Sequence, residues 1–171
     1  MTGGRTLVLG GARSGKSTFA EGLVERAGLS PIYLATGRSL DGEMAARIEE
    51  HRRRRGAAWT TIEEPLALAA ALKQNARDDR AVLVDCLTLW LTNLMMEDAD
   101  VPARCDALCE TVATLPGVIV FVSNEVGLGI VPDNPMARAF RDHAGFLHQK
   151  IGACCDSVFF VAAGLPLKMK G

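Results

Sequence analysis

The stretch Gly10-Gly11-Ala12-Arg13-Ser14-Gly15-Lys16-Ser17 constrains the fold more than any other in the chain. It fits the spacing G-x-x-x-x-G-K-[ST]. A short apolar run, Leu7-Val8-Leu9, precedes it and reads as a buried strand. A helical pattern follows, with Phe19, Leu23 and Val24 on one face. In a strand–loop–helix unit of this kind the glycines let backbone N–H groups turn inward and approach phosphate oxygens closely. The positive end of the helix points at the same place. Lys16 is then placed to reach the β- and γ-phosphates of a nucleotide, and the Ser17 hydroxyl to ligate Mg²⁺. The alternative is a glycine-rich turn that binds nothing, and the strand–loop–helix context weighs against it.

The rest of the chain repeats the alternation. Gly28 stops the first helix near Ala27, and Pro31-Ile32-Tyr33-Leu34-Ala35 reads as a strand ending in the polar turn Thr36-Gly37. Leu40 to about Arg55 reads as a helix, since Leu40, Met44 and Ile48 make an apolar stripe at a spacing of four. Trp59-Thr60-Thr61-Ile62 reads as a short strand. Glu63-Glu64-Pro65 then starts a helix running to about Arg77. Ala81-Val82-Leu83-Val84 is a fully apolar strand that ends in Asp85, and Leu87 to Met96 is helical. A polar loop over Glu97–Pro102 leads to a helix from about Ala103 to Leu115, and Gly117–Val122 is a further strand. After the turn Pro132-Asp133-Asn134-Pro135, a long helix carries Ala137, Phe140, Ala144, Leu147 and Ile151 on one face. Ser157–Ala162 and Leu165–Met169 close the chain as strands joined at Gly164. Such alternation predicts an α/β fold with a mostly parallel sheet and helices on both faces. The short last connection predicts an antiparallel edge near the C-terminus.

Composition narrows the function. The 171 residues suit one domain spanning 1–171, with no internal repeat or linker. A net charge of -1 provides no basic field for nucleic acid. No apolar run approaches a membrane span, and no signal peptide precedes the first strand. The five cysteines are scattered without a CxxC pair, which argues for reduced core thiols and a cytoplasmic protein.

Three further places carry chemistry. Asp85, at the end of a buried strand, reads as the carboxylate that completes a phosphate-loop site by helping to hold magnesium. A buried carboxylate there needs a partner in any case. His51 lies on a polar helix stripe with Glu43, Arg47 and Arg55, beside the block Arg52-Arg53-Arg54-Arg55. Arginines disfavour its protonated ring, leaving a neutral nucleophilic imidazole near phosphate-binding cations. The same spacing also describes a solvated basic helix end. The loop Ser123-Asn124-Glu125-Val126-Gly127-Leu128-Gly129 follows a strand end and serves either substrate contact or glycine torsions. Glu63 is open between site and surface, and His143 and His148 read as surface or packing residues.

Several separated stretches together resemble one family, the bifunctional adenosylcobinamide kinase / adenosylcobinamide-phosphate guanylyltransferases of vitamin B12 biosynthesis. They are the phosphate loop, Tyr33-Leu34-Ala35-Thr36, Glu43-Met44-Ala45-Ala46-Arg47-Ile48 with His51-Arg52, and Trp59, Thr61 and Glu63. Later come Thr92-Asn93-Leu94, Ser123-Asn124-Glu125-Val126-Gly127, Gly129-Ile130-Val131-Pro132, Ala137-Arg138, Phe140-Arg141-Asp142, Ala144-Gly145 and the tail containing Lys168. The resemblance implies a RecA-like fold and a trimer. It implies that His51 is the guanylylated residue. It implies nucleotide contacts from the phosphate loop, Ala35-Thr36-Gly37, Arg52 to Arg55, Glu63 and Asp85. The substrates it implies are ATP or GTP with Mg²⁺, adenosylcobinamide and its phosphate. The chain departs from many relatives at Gly56, where they carry proline, and at Glu50, where some carry a second histidine. Two rival readings are a RecA-like ATPase that drives motion or assembly and a non-catalytic nucleotide-binding regulator. The intact Lys16, Ser17 and Asp85 argue against the second.

Overall fold

A computed structural model describes residues 4–38 and 56–171. The helix expected over Leu40 to Arg55 lies outside the described residues. The strands are β1 (Arg5–Gly10), β2 (Ser30–Ala35), β3 (Thr60–Glu63), β4 (Arg80–Asp85), β5 (Val118–Asn124), β6 (Ser157–Ala162) and β7 (Leu165–Lys170). The helices are α1 (Lys16–Arg26), α2 (Leu68–Asn75), α3 (Leu87–Met96), α4 (Val101–Thr114) and α5 (Pro135–Cys154). One sheet holds all seven strands in the order β3-β2-β4-β5-β1-β6-β7. Neighbours from β3 to β6 pair parallel, and β7 pairs antiparallel with β6.

The apolar runs explain this order. Leu7, Val8, Ala81, Val82, Leu83 and Val84 are fully buried, as central strands covered on both faces require. Alternate residues serve opposite layers. Leu7, Leu9, Val82, Val84, Ile119 and Phe121 pack with Leu72, Trp90, Leu108 and Leu147 from α2 to α5. Val8, Leu83, Val120 and Val122 pack with Ala20 and Val24 of α1. Arg5 closes the C-terminal end of α4, donating to Val112 O at 2.6 Å and Leu115 O at 2.8 Å. Lys170 does the same for α5, reaching Cys155 O at 2.6 Å.

Several boundaries differ from the sequence expectation: Glu63 ends β3 rather than starting a helix, Ser123 and Asn124 belong to β5 rather than to the loop after it, and two helix starts shift for a visible reason. The helix after Pro65 begins only at Leu68 and ends at Asn75. The Glu64 carboxylate accepts from the N–H groups of Leu66 and Ala67 and holds residues 64–67 in a turn. Pro102 belongs to the first turn of α4 rather than to a loop, because Asp100 caps that helix by accepting from Ala103 N at 3.1 Å. The β6–β7 hairpin turns on Ala163 and Gly164, at φ 51 and 77. Positive φ at both central residues suits a two-residue hairpin.

Candidate nucleotide-binding site

The phosphate loop leaves the centre of the sheet. β1 ends at Gly10, between β5 and β6, and α1 begins at Lys16. Arg13 at φ 56 and Gly15 at φ 93 are both left-handed. Gly15 caps α1 with no side-chain hydrogen bond, so the first-turn N–H groups are left for a ligand. Lys16 is buried along its stem and donates from Nζ to Gly11 O at 3.0 Å. Ser14 Oγ is buried with no hydrogen-bond partner among the described residues. A ligand oxygen would relieve that cost.

Two neighbours clamp this loop. The Glu125 N–H, just past β5, donates to Gly10 O at 3.0 Å. The Gly164 N–H, at the hairpin tip, donates to Ser14 O at 2.8 Å. The packing is tight enough to demand glycine. A Cβ on Gly10 would lie 2.5 Å from Val161 O, and one on Gly15 would lie 3.0 Å from Gly164 Cα. The hairpin contact escaped the sequence reading, because nothing in the pattern of β6 and β7 says where their turn lands.

The other expected residues lie along the carboxyl edge of the sheet, where ligands of open α/β sheets bind. Asp85 ends β4, with Ala35 beside it on β2 and Glu63 beyond on β3. Asn124 stands beside Gly10. Asp85 Oδ2 accepts from Tyr33 OH at 3.2 Å. The buried Cys86 thiol next to it is pushed up to about 11, first by burial and then by the Asp85 charge, and is inert at neutral pH. Thr36 is fully buried and its hydroxyl donates to Cys86 O at 2.7 Å. That hydroxyl therefore serves the edge's architecture. Gly37 lies against Leu89 of α3.

α3 lies across this edge. Asn93 donates to Thr36 O at 2.7 Å and Pro65 O at 3.0 Å, and Arg38 pairs with Glu97 at 2.8 Å. Trp90 is core, as the sequence suggests, with its ring N–H donating to Leu66 O at 3.0 Å. A cleft of about 400 Å³ between α2 and α4 contains none of the phosphate-loop residues in its wall.

Magnesium fits the donors present. Ser17 provides a hydroxyl and Asp85 a carboxylate, both hard oxygen ligands. Among the described residues no cluster of three or more His, Cys, Asp or Glu could cage a metal.

His148 is more than a packing residue. Its Nε2 lies 2.7 Å from Ser123 Oγ, and its Nδ1 lies 3.9 Å from Glu125 Oε2. Burial holds its pKa below the usual value against the pull of Glu125. All five cysteines are free thiols, with Cys86, Cys105 and Cys155 buried and Cys109 and Cys154 half-buried. His51 and Arg52 to Arg55 lie outside the described residues.

A phosphate loop at the centre of a mostly parallel sheet, with carboxylates along the carboxyl edge, defines a phosphate-loop protein of RecA-like architecture. The fold is similar to that of the RadB recombinase, at 18% identity and a TM-score of 0.51 over 93% of this chain and 74% of that one. It is also similar to the flagellar accessory protein FlaH from Methanocaldococcus jannaschii, at 12% identity and a TM-score of 0.54 over 99% and 79%. Within that class the chain belongs to the cobinamide kinase / cobinamide phosphate guanyltransferase family, whose pattern matches residues 6–169. It is 54% identical to the bifunctional adenosylcobalamin biosynthesis protein CobP of Pseudomonas aeruginosa, over 98% of each chain. It is therefore a transferase that pairs a kinase with a guanylyltransferase.

Proposed function

We propose that this chain phosphorylates adenosylcobinamide with ATP or GTP and then transfers GMP from GTP, through a guanylylated His51, to give adenosylcobinamide-GDP. The observation that carries the reading is the clamped phosphate loop with its uncapped helix end, in a chain of this family. In the first reaction the hydroxyl of the substrate's aminopropanol arm attacks the γ-phosphorus, and the nucleoside diphosphate leaves. Backbone N–H groups of residues 10–15 and the Lys16 ammonium hold the charge that develops on the phosphoryl oxygens. Ser17 and Asp85 would hold Mg²⁺, which when bound neutralises charge on the β- and γ-phosphates. In the second reaction a neutral His51 nitrogen attacks the α-phosphorus of GTP and pyrophosphate leaves. The corrinoid phosphate then displaces the histidine. Arg52 to Arg55, Ala35, Gly37 and Glu63 complete the nucleotide contacts, and the buried Thr36, whose N–H donates to Asp85 O and whose carbonyl accepts from Asn93, holds the strand ends beneath them.

The working unit is a single domain of residues 1–171 that assembles as a homotrimer in the cytoplasm and binds no nucleic acid. Among the described residues no helix is long and apolar enough to cross a membrane.

The test is incubation with GTP labelled at the α-phosphate, then denaturing electrophoresis. The label should be acid-labile and base-stable, as a phosphoramidate is. His51→Ala should lose the label and guanylyl transfer yet keep kinase turnover, because γ-transfer to an alcohol needs no histidine nucleophile. Label that persists in His51→Ala, or inversion at the α-phosphorus with the wild-type enzyme, would refute the assignment.

A further inference from the structure

A polar strut runs beneath the loop that follows β5, and neither transfer reaction as written uses it. Ser123 is fully buried on β5, beside Leu9 of β1. Its hydroxyl meets His148 of α5 at 2.7 Å, and the far side of that ring faces Glu125 at 3.9 Å. The other Glu125 oxygen accepts from the Gly127 N–H. The Glu125 N–H in turn donates to Gly10 O. The strut therefore links α5, through the loop, to the first residue of the phosphate loop. An apolar pair would fill the space beneath with less desolvation, so what the polar groups add is a fixed geometry. Gly127 is part of the device, since a Cβ there would lie 2.8 Å from Glu125 Oε1.

The loop so held presents apolar side chains to solvent. Leu128, Ile130 and Val131 are 81%, 98% and 61% exposed. Nucleotide phosphates have no use for them. A corrin ring, broad and fringed with methyl and amide groups, does, and its hydroxyl arm must reach the γ-phosphate over the same phosphate loop.

We propose that residues 125–131 form the corrinoid-contacting wall of the acceptor site, with Ser123 and His148 as positioning residues that set it beside the phosphate loop. The proposal rests on the kinase reading above. Binding of cobinamide to the full chain, with a non-hydrolysable ATP analogue present, is read by equilibrium dialysis and the corrin's visible absorbance. Leu128→Ser with Ile130→Ser, Gly127→Ala and His148→Leu should each raise the corrinoid Kd roughly tenfold or more. Affinity for the analogue should be unchanged, and His148→Gln, whose amide can still bond to Ser123, should restore most of the loss. An unchanged corrinoid Kd in folded variants overturns the proposal, and so does an equal loss of analogue affinity. So does a changed oligomeric state of the Leu128/Ile130 variant at unchanged corrinoid affinity, which would make the patch an interface between copies. A wild-type chain that binds cobinamide without phosphorylating it would overturn the kinase reading and leave the wall standing.

Discussion

Replacing Gly10 by alanine tests the clamp on the phosphate loop. The added Cβ would lie 2.5 Å from Val161 O and 2.6 Å from Ser14 Oγ. Ordinary contact begins near 3.4 Å, so the methyl and the carbonyl must part by about 0.9 Å. The serine hydroxyl can rotate away. The carbonyl cannot, because it belongs to β6, whose ladder to β1 includes the Gly10–Val161 pair. The strain therefore falls on the parallel pairing at the point where the loop starts. Overpacking of this kind costs about 1–3 kcal/mol. For a domain of this size each kcal/mol lowers the melting temperature by roughly 2–4 °C. Gly11 provides the control, since a Cβ there meets nothing within 4 Å. Thermal melts of Gly10→Ala and Gly11→Ala, followed by circular dichroism, should differ by ~2–12 °C with Gly10→Ala the lower. Gly10→Ala should also bind nucleotide more weakly, because the displaced strand end carries the loop's first residue. Equal melting temperatures for the two variants would refute the argument.

Lys16→Ala should weaken nucleotide binding and slow both transfers, on the order of 10²-fold or more; near-wild-type kinase turnover would remove the loop from the mechanism. Asp85→Asn should raise the magnesium concentration needed for half-maximal turnover while leaving the melting temperature close to wild type, and an unshifted titration would assign Asp85 a structural role. The third prediction concerns pH. The unfolded His148 ring takes up its proton near 6.5, and the buried ring, facing Ser123 and Glu125, only at lower pH. Protons therefore favour the unfolded chain, so stability present above 6.5 is lost as pH falls through the folded value. Urea unfolding of His148→Gln should show a shallower loss below that pH than wild type, and an identical slope would rule the ring out as its source.

The fold was legible because its strands are written as unbroken apolar runs. Ala81-Val82-Leu83-Val84 reads as a fully apolar strand and is one, set between β2 and β5, and the hairpin at Gly164 reads as the antiparallel edge it forms. What could not be read was decided by contacts between distant segments. Glu64 delays α2 through hydrogen bonds to two backbone groups, and propensity alone does not register that competition. His148 looks like any histidine on a long amphipathic helix. Its hydroxyl partner lies 25 residues away on another element, and no periodicity points to it. The carboxyl edge was legible in part: Ala35 and Asp85 read as strand ends and are, whereas Glu63, read as the start of a helix, ends β3 beside Ala35. It was not legible that the Thr36 hydroxyl is turned inward to the Cys86 carbonyl, because a small polar residue after a strand suits either direction.

The clamp also bears on how one loop serves two reactions. On the proposed chemistry the acceptor hydroxyl attacks the γ-phosphorus, whereas His51 attacks the α-phosphorus. Each displacement needs its nucleophile in line with a different atom of the triphosphate. The loop cannot slide to accommodate both. Gly10 is tied to Glu125 on one side and Ser14 to Gly164 on the other. Gly15 has only 3.0 Å between its would-be Cβ and the hairpin. A loop fixed at both ends and close-packed in the middle is a reference frame, and close packing resists continuous deformation. The adjustment between the two reactions therefore belongs to how the triphosphate is seated against that frame. A nucleotide analogue bound first for the γ-transfer and then for the α-transfer should find Gly10, Lys16 and Gly164 in the same places.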